Sequence, residues 1–144
     1  MKISFNKQDL SFLIAEITKK KYAVSVSHIK NNTIYLKVAN IIILIKPIKS
    51  GGNGQIIYFE VKLNNYVLQL SSLIAGFGGK SVVDYLVKIS DGILEKNSTN
   101  RISLNLLKLS HRYNFMHNYK VSKITAQNNT LNFDINIESS LIKK

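Results

Sequence analysis

The chain has 144 residues, 45% of them hydrophobic, with one proline and no cysteine. That is enough for one domain, residues 1–144, with a core of its own, and it excludes a disulfide framework, a thiolate metal site and a thiol nucleophile. Lysine and arginine outnumber the acids twenty to eight, for a net charge of +12, and only Arg101 and Arg112 are arginine. A lysine field of this kind attracts polyanions or anionic lipid surfaces without reading a sequence. Richness in Lys, Asn and Ile is also what an AT-rich genome produces without a functional cause.

The N-terminus, Met1 to Lys7, lacks the apolar stretch and small-residue cleavage site of a secretory signal. The longest aliphatic run, Ile41 to Ile45, is too short to span a bilayer. The expectation is a soluble protein that starts in the cytosol, leaves it only by a signal-independent route and meets membranes peripherally.

Asn6 and Asp9 have the spacing of a capping box, and Leu10, Leu13, Ile14 and Ile17 follow on one helical face. Lys19, Lys20 and Lys21 stand where this short helix should end and complement its dipole. A long β region comes next. Val24, Val26 and His28 alternate, as do Ile34, Leu36 and Val38 against Tyr35 and Lys37, with Asn31-Asn32-Thr33 as the turn between them. Ile41 to Ile45 reads as a strand covered on both faces or lining an apolar cavity. Gly51-Gly52-Asn53-Gly54 is a hairpin loop, after which Ile57, Phe59, Val61 and Leu63 alternate against Tyr58, Glu60 and Lys62. Val67 to Leu70 offers another short strand.

Ser81 to Glu95 reads as the principal helix, capped by Ser81 with Asp84 at the capping-box position. Val82, Val83, Leu86, Val87, Ile89, Ile93 and Leu94 give it a broad apolar face, and Asp84, Lys88, Asp91 and Glu95 a narrow polar stripe. The rest returns to strands: Ile102, Leu104 and Leu106, then Tyr113 and Phe115, Tyr119 and Val121, and finally Leu131, Phe133, Ile135 and Ile137.

There is an internal echo. Val26-Ser27-His28-Ile29-Lys30-Asn31-Asn32-Thr33-Ile34 is matched by Val121-Ser122-Lys123-Ile124 and, two extra residues on, Asn128-Asn129-Thr130-Leu131. Each copy reads strand, Asn-Asn-Thr turn, strand, and each lies downstream of an amphipathic helix. An Asn-rich composition also generates such hairpins independently.

The order of an initial ISFNKQDLSFLIAEI helix, a β-meander, a long apolar helix and a closing meander ending TLNFDINI resembles the half-barrel modules of the tubular lipid-binding (TULIP-like) superfamily. The AT-rich flavour is similar to that of the small OrfX-type proteins encoded beside clostridial neurotoxins. The resemblance implies an α+β fold: a strongly bent antiparallel sheet wrapped on one long helix, with a short N-terminal helix and apolar chains held between helix and sheet. It rests on element order, so it transfers no site residues.

Chemistry-bearing motifs are few. Gly76-Phe77-Gly78-Gly79-Lys80-Ser81 ends like a phosphate-cradling loop, but Ile74 stands where that loop needs its first glycine. What survives is a single anion held by backbone N–H groups beside Lys80. His28, His111 and His117 have no metal-ligand spacing, and the acids are scattered. His111 to Lys120 interleaves aromatics with cations, a mixture suited to lipid headgroups or to stacked single-stranded bases. The candidate lipid- or anion-binding residues are therefore Lys80, Arg112, Tyr113, Phe115 and Lys120. The expected function is non-catalytic binding of lipids, through anionic phospholipid headgroups of a phosphoinositide-like kind or a membrane surface, with no cofactor. The alternatives are nucleic-acid binding, and a subunit completed by a partner chain or a second copy.

Overall fold

A computed structural model of the chain describes residues 1–19, 24–38, 41–63, 82–113 and 119–137. In chain order the elements are β1 (Lys2–Asn6), α1 (Lys7–Ile17), β2 (Val24–Lys30), β3 (Thr33–Val38), β4 (Ile41–Gly51), β5 (Ile56–Leu63), α2 (Val82–Ile89), β6 (Leu94–Ser98), β7 (Arg101–Asn105), α3 (Leu106–Tyr113), β8 (Tyr119–Gln127) and β9 (Thr130–Ile137). The strands form two antiparallel sheets, one ordered β2-β3-β4-β5-β7-β6 and the other β1-β9-β8. The expected strand at Val67 to Leu70 lies outside the described residues.

The capping box at α1 is formed: Asn6 Oδ1 accepts from Asp9 N at 2.8 Å, and Asp9 Oδ2 accepts from Asn6 N at 3.1 Å. β1, just before it, was missed at the sequence level. Its signal is only Ile3 and Phe5 alternating with Lys2, Ser4 and Asn6, and what makes it a strand is β9 alongside, with Ile3 opposite Phe133 and Phe5 opposite Leu131.

The expected architecture, a bent sheet wrapped on one long helix, is wrong. Among the described residues there are two sheets and three short helices, none of them long. The Ser81–Glu95 helix ends at Ile89. Asp91 and Gly92 adopt φ of 55° and 86°, which a right-handed helix cannot contain. Ser90 Oγ donates to Val87 O at 2.7 Å and accepts from Leu94 N at 3.1 Å, closing the helix and turning the chain into β6. The acids expected along one helix face disperse accordingly. Asp84 pairs with Lys96 of β6, Asp91 with Lys19 beyond α1, and Glu95 with Lys108 of α3. The C-terminal pattern is corrected too: Leu106 starts a helix rather than continuing a strand, because Asn105 Oδ1 accepts from Leu107 N and Lys108 N and caps it.

Both hairpins of the echo are present. Asn31, Asn32, Asn128 and Asn129 have φ of 53°, 54°, 52° and 60°, the two-residue turn that matches strand twist and that asparagine tolerates. The two turns then engage each other. Asn32 donates its N–H to Ala126 O at 2.7 Å and accepts Ala126 N–H on Oδ1 at 3.1 Å. Asn129 does the same to Ile29, at 2.6 and 3.2 Å. β2 is an edge of the larger sheet and β8 of the smaller. Each asparagine thus supplies to the opposite edge the donor and acceptor a paired strand would supply. Farther along β8, Val121 donates to Gly54 O at 2.8 Å, where a β-carbon on Gly54 would meet Lys120 Cα at 3.1 Å.

Ile29 and Ala126 are both 0% exposed, so losing either asparagine acceptor strands a buried N–H. Asn32→Ala and Asn129→Ala should each cost about 1–3 kcal/mol in urea denaturation. Glycine at either position should recover only the part due to positive φ. Wild-type stability in the glycine variants would show that the side-chain bonds contribute nothing.

Candidate functional site

The sequence-level candidates do not assemble into one site. Lys80 and Phe115 lie outside the described residues, as do the Gly76–Ser81 motif and His117. Arg112 and Tyr113 fall in the last turn of α3, so Tyr113 ends a helix where a strand was expected. Lys120 is half-buried on β8 against Gly54. His28 is exposed with its ring edge-on to Tyr35 at 6.1 Å, and among the described residues no three metal-ligating side chains come together.

Two other features do assemble, one on each face of the six-stranded sheet. Successive residues of a strand point to opposite faces and register partners share one. On one face, α1 and α2 lie over Val26, Leu36, Ile45, Phe59, Ile102 and Leu104 and leave a cavity of about 170 Å³ between themselves and the sheet. Leu10, Leu13, Ile14 and Ile17 of α1 and Leu86 and Ile89 of α2 close it from above. Leu13, Ile14, Ile17, Val24, Leu94 and Leu104 are only half-buried, so the space reaches the surface between the helices. Thr18 and Ser90 also line it, but their hydroxyls are committed to Ile14 O and Val87 O. With nothing polar left to hydrogen-bond among the described residues, such a space suits an apolar guest. The Ile41–Ile45 run had signalled an apolar lining, and Ile45 supplies it.

The opposite face is basic. Lys30, Lys37, Lys46, Lys49, Lys62 and Arg101 are all exposed there. Register places Lys46 across from Glu60, Glu60 across from Arg101, and Lys49 across from Tyr58. Glu60 is held by Lys62 at 3.5 Å. The two tyrosines of this face are half-buried and roofed by lysine: Lys30 Nζ stands 5.6 Å from the Tyr35 centroid and Lys49 Nζ 5.6 Å from that of Tyr58. These cations were missed because each is an ordinary polar position in its own strand. Only the pairing of strands makes them neighbours.

Glycine shapes this face at one point. A β-carbon on Gly51 would stand 2.8 Å from Tyr58 Cε2, so the ring lies against the bare backbone of β4. Comparison with family models, with curated proteins and with solved structures finds no match to this chain.

Gly51→Ala should push the Tyr58 ring from its place and destabilise the fold by roughly 1–3 kcal/mol, as other overpacking changes do. The ring's proton NMR shifts and a thermal melt would check both effects. Unchanged ring shifts would show that the close approach is not needed.

Proposed function

We infer that this chain is a non-catalytic lipid-binding protein that holds an apolar chain beneath its two helices and works at an anionic membrane surface. The observation that carries this reading is the cavity of about 170 Å³, walled by aliphatic side chains and open between α1 and α2. A cavity of roughly 150 Å³ with such walls stays dry and accepts benzene, so this one suits the end of a hydrocarbon chain. Each methylene transferred into it contributes about 0.8 kcal/mol.

The basic face supports the second half of the reading. Six exposed cations share it with two acids, Glu60 and Glu95, each already paired with a lysine. Each such cation near an anionic leaflet is worth about 1 kcal/mol, screened by salt. Among the described residues no helix is long and apolar enough to cross a membrane, and the proposed association is peripheral. The long helix in the tubular lipid-binding resemblance is not formed, so the proposal draws on the cavity and not on that likeness.

Tyrosines on a cationic sheet are also what single-stranded nucleic-acid binders use. Here both rings are half-buried beneath a lysine, which leaves little open aromatic face for a base.

Native mass spectrometry of the purified protein, with extraction and identification of what it carries, tests the cavity. The expected result is one bound lipid per chain. Ile14→Trp, which fills the mouth, should abolish it without lowering the thermal midpoint. A bare mass for the wild type offered lipid would overturn the reading. Binding to vesicles containing phosphatidylserine should fall steeply as salt rises, and binding to pure phosphatidylcholine vesicles should be weak at any salt.

A further inference from the structure

One end of the basic face is hollowed into a recess of about 570 Å³, lined by Ile48, Lys49, Tyr58, Asn97, Ser98 and Arg101. Two strand irregularities build it. The register of β4 on β5 slips between Pro47 and Lys49, extruding Ile48, and that of β6 on β7 slips between Lys96 and Ser98, extruding Asn97. Bulges re-aim side chains locally, and these two stand on either side of β5 and β7. The lone proline is accommodated beside the first of them, beyond the stretch of β4 that pairs with β3. No described carboxylate lies within ion-pair distance of Lys49 or Arg101. Glu60, the acid nearest in register, is engaged by Lys62.

We propose that this recess is a binding site for a phosphate monoester carried on a small hydroxylated body. A monoester has a charge of about −1.5 to −2 at neutral pH, which two cations lining one recess match. The guanidinium of Arg101 can take two phosphate oxygens at once, whereas Lys49 acts as a point charge held over the Tyr58 ring. The volume exceeds what a phosphate alone needs. The Asn97 amide and the Tyr58 hydroxyl offer donors and acceptors for the remainder, and Ser98 Oγ one further acceptor. Ser98 Oγ is pre-set by its bond to Asn100 Oδ1 at 2.9 Å. Such a group can arrive as a free phosphorylated polyol or as the headgroup of a lipid. Ile48, 41% exposed at the rim, provides an apolar contact for the second.

The recess shares no residue with the interior cavity, so the lipid-holding reading fails separately, and the free-ester arm separates the recess from the diffuse attraction of the basic face to which Lys49 and Arg101 also belong. Free glycerol phosphate is titrated by calorimetry, and in a parallel arm the protein is bound to phosphatidylcholine vesicles with and without phosphatidic acid. Arg101→Gln and Lys49→Gln should weaken binding by about tenfold to a hundredfold, the worth of a hydrogen bond to a charged group. Lys37→Gln, on the same face but outside the recess, should leave glycerol phosphate binding unchanged and cost vesicle binding only the roughly fivefold worth of one surface cation, and thermal melts check that each variant folds. Binding of free glycerol phosphate that Arg101→Gln abolishes supports the site and identifies a soluble ester. Binding confined to phosphatidic acid vesicles, with the same dependence on Arg101, supports it and identifies a headgroup. Binding in neither arm, or equal losses from Arg101→Gln and Lys37→Gln, overturns the proposal and leaves only a diffuse basic surface.

Discussion

The two sheets are fastened where two asparagine turns cross. Asn32 reaches Ala126 and Asn129 reaches Ile29, each through its own backbone N–H and its own side-chain carbonyl. The arrangement is close to two-fold symmetric, since Ile29 and Ala126 hold equivalent places two residues before each turn. Its symmetry breaks where the side chains differ: Asn31 N donates to Gln127 Oε1, and the equivalent residue of the other hairpin, Lys30, has no acceptor to offer in return. Free strand edges invite pairing with other chains. Here part of each edge is occupied by the tip of the other hairpin, so the contact that joins the sheets also blocks them. Leu131, just past one of these turns, is thereby placed in the wall of the interior cavity.

That cavity owes its existence to the shortness of the helices. A fifteen-residue helix over Ser81–Glu95 would lay one unbroken apolar ridge across the sheet. Instead α2 stops after 8 residues, and Leu94 passes into a strand beside Leu104. α1, 11 residues long, covers the neighbouring region from the other end of the chain. Two short cylinders over a broad sheet leave a gap between them, and every described position facing it is apolar or has its polar group satisfied. Lys19 to Asp91, at 3.3 Å, links the two helix ends across the gap, although a pair this exposed contributes little energy.

The two faces of the larger sheet therefore offer different chemistries less than a side chain's length from one another. β5 shows it residue by residue: Ile57, Phe59 and Val61 are buried beneath the helices, whereas Tyr58, Glu60 and Lys62 alternate with them on the basic side. Binding of an apolar chain within and of an anionic group without are consistent uses of one strand's alternation. The bulges at Ile48 and Asn97 add a local hollow to what would otherwise be a plain charged surface.

The sequence by itself determined whatever depends on near neighbours. The capping box of α1, the Asn-Asn turns, the Gly51–Gly54 loop and the alternation of β3, β5 and β9 are local preferences of the backbone, and all are present. Periodicity misled where a local pattern had two continuations. Apolar residues from Ile89 to Leu94 fit a helical face, but Asp91-Gly92 fits a left-handed turn equally well, and the free edge of β7 settled the choice by pairing with Leu94–Ser98. Leu106 likewise continued an alternation until the capping by Asn105 overrode it. The surfaces proposed for binding were hidden for a different reason. Lys49 and Arg101 are 52 positions apart in the chain, and nothing local couples them. They share a recess because antiparallel register sets Lys49 across from Tyr58, Tyr58 across from Ser103, and Arg101 two residues before it on the same face. Register is decided by burying the opposite face of every strand at once, a condition on the whole sheet that no single stretch of sequence carries.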